Sequence, residues 1–424
     1  MSVEGRLREI VDGFERPFWI ANVSEIFERL SYYGAFASLA LYLQEKLNFS
    51  TQQTGTLTGL FGGMVWFLAI FGGAVADKLG FRRALSLAYL ILAAAYFLIG
   101  SIGASWLAPV RNAVPLSLFV GVILILPALG ISLVKPCVVG TTARASKDNV
   151  RQIGYSIYYT MVNIGSASGP YVASWVHKHM ALENVFRVSA LSVFAMFFFV
   201  LFFFREPRKA GDAPAPSLAE VAKNFVTILW PPRFLIFLLI FTGYWVVFWQ
   251  QYTSLPGYIT QYINSDKGVA ELILITDPLV VIFLTIAVNY LIRKMAPLHA
   301  VILGTVITSL AWLILAFWPT VPGTVASLAV LALGEIIQQP PYYSYISKLA
   351  PPGQQGIYMG FAFLPLGLGS IFGGALGGFL VHHYAEVLHQ PAMVWYCITA
   401  IGLVTAVLLM VYDRAIRPAR ETAV

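Results

Sequence analysis

Twelve long, largely apolar runs separated by short polar stretches constrain this chain more than anything else in it. A helix needs about 20 residues to cross the hydrocarbon core of a bilayer. In that medium every backbone N–H and C=O must be satisfied within the segment, so such runs fold as helices. They lie at roughly 18–43, 54–76, 82–103, 114–139, 152–176, 184–204, 234–258, 270–292, 297–318, 323–347, 355–380 and 391–412. Of the 424 residues, 58% are hydrophobic and 11% charged, against about 25% charged in soluble domains. The expectation is an all-α polytopic membrane protein with most of its mass in the lipid bilayer. The net charge of +7 is not read as a nucleic-acid surface, because the basic residues are spread over many short loops where they set orientation. Cys137 and Cys397 both fall in apolar runs and offer neither a disulfide framework nor a zinc pattern. No metal site and no cleavable signal peptide are expected.

The N-terminus, the even-numbered loops and the tail carry most of the Lys and Arg, including Arg82, Arg83, Arg144, Arg205, Arg293 and Arg414. The positive-inside rule therefore puts both termini in the cytoplasm, in a bacterial-type inner membrane. The longest polar break, Arg205 to about Lys223 with Gly211, Pro214 and Pro216, divides the chain into halves. The expected organisation is an N-terminal six-helix bundle at 1–204, a cytoplasmic linker at 205–232 and a C-terminal six-helix bundle at 233–424. Two such halves, with a substrate site between them near the midplane, resemble the major facilitator plan. The loop Gly73-Ala-Val-Ala-Asp77-Lys-Leu-Gly80-Phe-Arg82-Arg83 resembles the signature loop of that superfamily. There Asp77, Arg82 and Arg83 form an inner-side lock between helix ends; the alternative is an ordinary basic loop. In the eleventh run, Gly373/Gly377 and Gly374/Gly378 have GxxxG spacing, read as internal helix packing or as a dimer face.

Ionisable side chains inside apolar runs are expensive and mark function by default. In the first run Glu25, Glu28, Arg29, Tyr32, Tyr33 and Phe36 follow i, i+3, i+4, i+7, i+8, i+11 spacing and share one helix face. An ion pair of Glu25 with Arg29 explains two of the charges, but not the second carboxylate. Lys135 stands before Pro136, which is expected to bend its helix or break its hydrogen bonding, and it either snorkels or functions. Tyr159 and Asn163 lie one turn apart, as ligand contacts or as interhelical glue. Trp245, Phe248, Trp249, Gln250 and Tyr252 make an uncharged aromatic and amide wall. Asp277 sits about two turns from the outer end of its run, where a wet structural role and a functional one both remain open. Glu335 is deep. None of the six histidines is placed as an intramembrane relay.

Together these residues resemble the proton-dependent oligopeptide transporter family of the major facilitator superfamily. Glu25, Glu28 and Arg29 with Tyr32-Tyr33-Gly34 match its first-helix motif. Lys135-Pro136 matches the fourth helix, and Tyr159, Asn163, Gly165 and Ser166 match the fifth. Gln250 and Ser254 match the seventh. Glu335, Pro340, Ser347-Lys348-Leu349-Ala350-Pro351 and Met359-Gly360 match the tenth and eleventh. The resemblance implies a proton-driven importer of di- and tripeptides. Arg29 and Lys135 would receive the peptide carboxylate and Glu335 its amino group, and Tyr32, Tyr33, Tyr159, Asn163, Trp249 and Gln250 would line the site. The chain departs from the family where a gating Arg and a seventh-helix Glu are usual: Phe36 and Trp249 occupy those places. An apolar pair can replace an ion pair at little cost, so these two are expected to close the outer gate by packing. Asp277 stands where the family has Asn, Cys137 replaces an Asn and Ala362 a Trp.

Glu25, Glu28 and Glu335 outnumber Arg29 and Lys135, and Asp277 adds a fourth acid. Carboxylates that share a site titrate as a coupled set. One proton is therefore expected to reside among Glu25, Glu28, Arg29, Lys135 and Glu335, with the proton gradient as energy source and no cofactor. The alternative is a proton-coupled transporter of a bulkier non-peptide solute, by uptake or efflux. A membrane enzyme is disfavoured, since HExxH, GxSxG and clustered histidines are absent from the sequence. The expected partners are a small-molecule substrate and the bilayer, with a monomer as the working unit.

Overall fold

The computed structural model describes residues 13–147, 149–207, 232–350 and 355–421. Most of the linker expected at 205–232 and the motif residue Pro351 lie outside the described residues. Apart from one isolated bridge between Phe14 and Ser146, the regular structure of the described residues is helical. The long helices are α1 (Arg16–Glu45), α2 (Thr51–Leu79), α3 (Phe81–Ile99), α4 (Leu116–Arg144), α5 (Arg151–His179), α6 (Asn184–Phe203), α7 (Pro232–Phe248), α8 (Thr276–Ile292), α9 (Pro297–Phe317), α10 (Val321–Leu349), α11 (Leu364–Leu380) and α12 (Ala392–Glu421). Among the described residues, ten helical segments are long and apolar enough to cross a membrane, not twelve. The two long helices outside that set are α1 and α5, which carry the ionisable and polar motif residues. The protein is a helical, multi-pass membrane protein.

Two compact units partition the chain. One comprises Met1–Ala35 with Phe67–Ala222, the other Phe36–Trp66 with Lys223–Val424. The hairpin made by the end of α1 and the start of α2 therefore belongs with the C-terminal helices.

In the first unit, small residues let helices meet at backbone distance. A Cβ on Gly34 would stand 2.9 Å from the Gly169 carbonyl, and one on Gly165 would stand 2.5 Å from the Ile26 carbonyl and 2.6 Å from the Arg29 Cβ. This seam seats α5 on the turn of α1 that carries Arg29. Ser31 and Ser189 exchange hydroxyl-to-carbonyl bonds of 3.2 Å in both directions, joining α1 to α6. A Cβ on Gly130 of α4 would meet the Ala88 carbonyl of α3 at 3.0 Å. Proline is costly inside a helix, yet α4 runs unbroken through both Pro127 and Pro136; freed backbone groups at such points are re-satisfied by neighbours.

In the second unit both glycine pairs of α11 are spent internally. Gly374 and Gly378 lie against Gly55, Gly59 and Gln52 of α2, while Gly373 and Gly377 lie against Val246, Gln250 and Ser254. α9 and α10 cross at Gly304 and Gly334, where a Cβ on either would stand 2.6–2.8 Å from the other's carbonyl. Val281, Ala332 and Ile336 form the apolar contact of α8 with α10. Trp312 and Trp395 stack at 4.7 Å between α9 and α12.

Candidate functional site

Most of the charged residues singled out in the apolar runs gather in two clusters, one in each unit. In the first unit Glu25 and Glu28 are wholly buried and Arg29 is 2% exposed. The Arg29 Nε serves both acids: it lies 3.4 Å from Glu25 Oε1 and donates to Glu28 Oε2. The guanidinium sits 5.3 Å over the Tyr32 ring, and Tyr32 packs edge-on to Tyr33 at 5.0 Å. Its Nη2 is buried and makes no hydrogen bond. Lys135 of α4 interacts electrostatically with Arg29, Glu25 and Glu28, so a snorkelling role is not what this geometry favours. Two acids and two cations leave this cluster balanced.

Three phenols around these carboxylates escape a reading of the sequence alone. Tyr89 and Tyr96 of α3 and Tyr158 of α5 all interact with the Glu25/Glu28 pair. The i, i+7 spacing of Tyr89 and Tyr96 on one face is the signal that could have found two of them. Of the fifth-helix residues, Asn163 is buried and donates to the Tyr159 carbonyl at 2.8 Å, whereas Tyr159 is exposed.

In the second unit, the Asp277 carboxyl of α8 meets the Glu335 carboxyl of α10, and Gln251 also reaches Asp277. Asp277 is only 6% exposed, so of the two readings its place in the run left open, the wet one does not hold. Gly334 brings α10 close to α9, and the next residue, Glu335, interacts with Asp277 of α8. Tyr244 reaches Thr308 and Gln338 beside this pair. The side chains of Gln251 and Gln338 are fully buried.

The aromatic substitutions are brought together. Phe36 stacks on Tyr252 at 4.8 Å and packs against Trp249 at 5.8 Å and Phe61 at 5.2 Å. The Trp249 indole donates to the Leu366 carbonyl at 3.0 Å. Gln250, expected to line a substrate site, is instead fully buried and spent: its amide donates to Val246 and Gly373 at 2.8 and 2.9 Å, and its oxygen accepts from Ser254 at 2.7 Å. Its place is the α7–α11 seam.

In the signature loop Asp77 pairs with Arg144 of α4 at 3.3 Å, and not with Arg82 or Arg83. Glu206 caps α3 by accepting from the Phe81 and Arg82 amides at 2.8 and 2.9 Å, the favourable end of the helix dipole for an anion. Arg82 donates to the Leu201 carbonyl at 2.7 Å; Arg83 is exposed. Among the described residues no cluster of His, Cys, Asp and Glu is placed to hold a metal.

Residues 22–364 and 250–423 match the Major Facilitator Superfamily. The multidrug resistance protein MdtH of Aeromonas salmonicida (strain A449) is 24% identical over 392 residues, covering 92% of this chain and 94% of that protein. Among solved structures, a POT family transporter in complex with a thioalcohol-conjugated peptide superposes with a TM-score of 0.78 at 16% identity, over 96% of this chain and 99% of the other. A crystal structure of the nucleoside transporter NupG gives a TM-score of 0.76 at 15% identity, over 93% and 99%. At these identities the superpositions establish the shared fold.

Proposed function

Since the chain belongs to the Major Facilitator Superfamily, we propose that it is a proton-coupled symporter that imports di- and tripeptides, or similar zwitterions, by alternating access. The observation that carries this reading is the first-unit cluster. Arg29 spends its Nε on two buried carboxylates while its Nη2 makes no hydrogen bond, and Lys135 completes the charge balance. A neutral cluster with a guanidinium edge to spare is suited to a carboxylate, which Arg recognises by paired hydrogen bonds. A Glu335 carboxylate suits an amino group. Glu25, Glu28, Arg29, Lys135 and Glu335 form the proton-coupling set, driven by the gradient without a cofactor. Tyr32, Tyr33, Tyr159 and Asn163 line the substrate path. The packing of Phe36 with Trp249 supports an outer gate closed by apolar contact, and the Asp77–Arg144 pair supports an inner-side lock in which Arg82 and Arg83 flank the pairing residue. We count α1 and α5 as spans, giving twelve, with both termini cytoplasmic in a bacterial inner membrane and a monomer as the transporting unit.

Purified protein in proteoliposomes with an inside-alkaline gradient is the direct test. Labelled dipeptide accumulates above the gradient-free control, and unlabelled di- and tripeptides compete. A second reading, a bulkier non-peptide cargo moved in either direction, is favoured by the multidrug resistance name of the MdtH relative and by the aromatic residues in place of a gating ion pair. Gradient-dependent flux of dyes or nucleosides that peptides do not compete with would establish it instead.

A further inference from the structure

The acids counted along the chain as one pool, Glu25, Glu28, Glu335 and Asp277, divide between the two units. Glu25 and Glu28 are matched by Arg29 and Lys135. In the second unit Glu271 is fully buried and accepts from the Ser38 hydroxyl at 3.1 Å, whereas buried Asp277 and half-buried Glu335 interact with each other. Among the described residues the interactions of these two carboxyls are with each other and with Gln251, and none is with a Lys or Arg. The titratable groups that act with them are Tyr244 from α7 and Tyr343 from α10; α9 contributes the uncharged Thr308. Around the pair lie further buried polar side chains: Gln251 beside Asp277, and Gln338 and Thr308 beside Tyr244. Polar groups are costly in an apolar core, so their gathering around one carboxyl pair marks a site rather than ordinary core.

We propose that Asp277 and Glu335 form a carboxyl dyad that shares one proton and is the carrier of the transported proton in this chain. Two carboxyls in contact in a medium of low dielectric cannot both stay ionised. With one proton the dyad holds a single negative charge, which an amino group cancels. Without the proton, a bound amine leaves one charge uncompensated in a place where charge is costly. Proton and amine are thereby taken up together, which is symport. The inference rests on the proposed proton coupling but not on the identity of the cargo.

Infrared difference spectroscopy on the purified full-length protein, without substrate, tests it directly. The wild type keeps a protonated-carboxyl C=O band through neutral pH. Asp277→Asn and Glu335→Gln each abolish it, and Asp277→Glu retains it at a shifted frequency, which separates loss of the dyad from loss of the fold. A band that survives both neutral substitutions, or that disappears with Glu25→Gln or Glu271→Gln instead, overturns the assignment. The transport arm keeps the two readings apart. Where peptides are carried, Asp277→Asn loses gradient-driven accumulation and keeps peptide counterflow; accumulation equal to wild type overturns the dyad alone. Absence of any peptide flux with the infrared assignment intact removes the peptide reading and leaves the dyad standing.

Discussion

Arg29 illustrates what a single side chain is asked to do. It is 2% exposed, its Nε bridges Glu25 and Glu28, and its planar face covers Tyr32. A lysine keeps the charge but not the fork or the stacking plane. Arg29→Lys is therefore expected to reduce peptide uptake by at least about tenfold, the equivalent of one lost charge-assisted hydrogen bond, while thermal stability changes little because both acids retain a cation. Initial-rate uptake and a melting curve on the same preparation check this. Phe36 and Trp249 make the complementary case. Phe36 is fully buried among Phe61, Trp249 and Tyr252, so Phe36→Arg alone places an uncompensated charge there and costs on the order of 3–5 kcal/mol. Adding Trp249→Glu is expected to recover part of that loss, and a double-mutant cycle on melting temperature reads the coupling. A double variant no more stable than Phe36→Arg would argue against direct packing of the two positions.

Helix positions depend on glycines whose role is steric. Gly165 seats α5 on the α1 turn that holds Arg29, and Gly334 seats α10 on α9 next to Glu335. The atoms a methyl would meet at Gly165 include a backbone carbonyl, which cannot rotate away. Gly165→Ala is expected to destabilise by about 1–3 kcal/mol as an overpacking change, and to impair transport as Arg29 shifts. Gly103, with nothing within 4 Å of an added methyl, is the control: Gly103→Ala leaves the melting temperature unchanged. The same elements show what can be read in advance. The glycine spacing of α11 announces close packing, and both faces are used within the second unit. Gln250 reads as a ligand contact through its match to the family's seventh-helix pattern; its saturation by Val246, Gly373 and Ser254 depends on which helix lies beside it, and nothing in its own run reveals that. Pro136 is expected to bend α4 or break its hydrogen bonding, and the helix continues through it.

For the whole molecule, the distribution of Lys and Arg is the property with the widest consequence. Basic residues crowd the N-terminus, the even-numbered loops and the tail, so a reporter fused at the C-terminus that matures only in the cytoplasm is expected to be active, and one that requires export inactive. The reverse pattern would invert the assigned orientation. Hydropathy and the charge bias are sums along the chain, and they suffice for a helical multi-pass protein and for the residues that carry chemistry, because the cost of exposing a backbone or a charge to lipid does not depend on which helix is the neighbour. Which acid meets which base does depend on it. Counting charges yields one pool of carboxyls with too few cations; packing separates it into a balanced cluster around Arg29 and a carboxyl pair at Asp277 and Glu335. Only the tertiary structure decides that division, since electrostatic energy is set by distances of a few ångströms between side chains on different helices, and those distances are not written in the order of residues along any one of them.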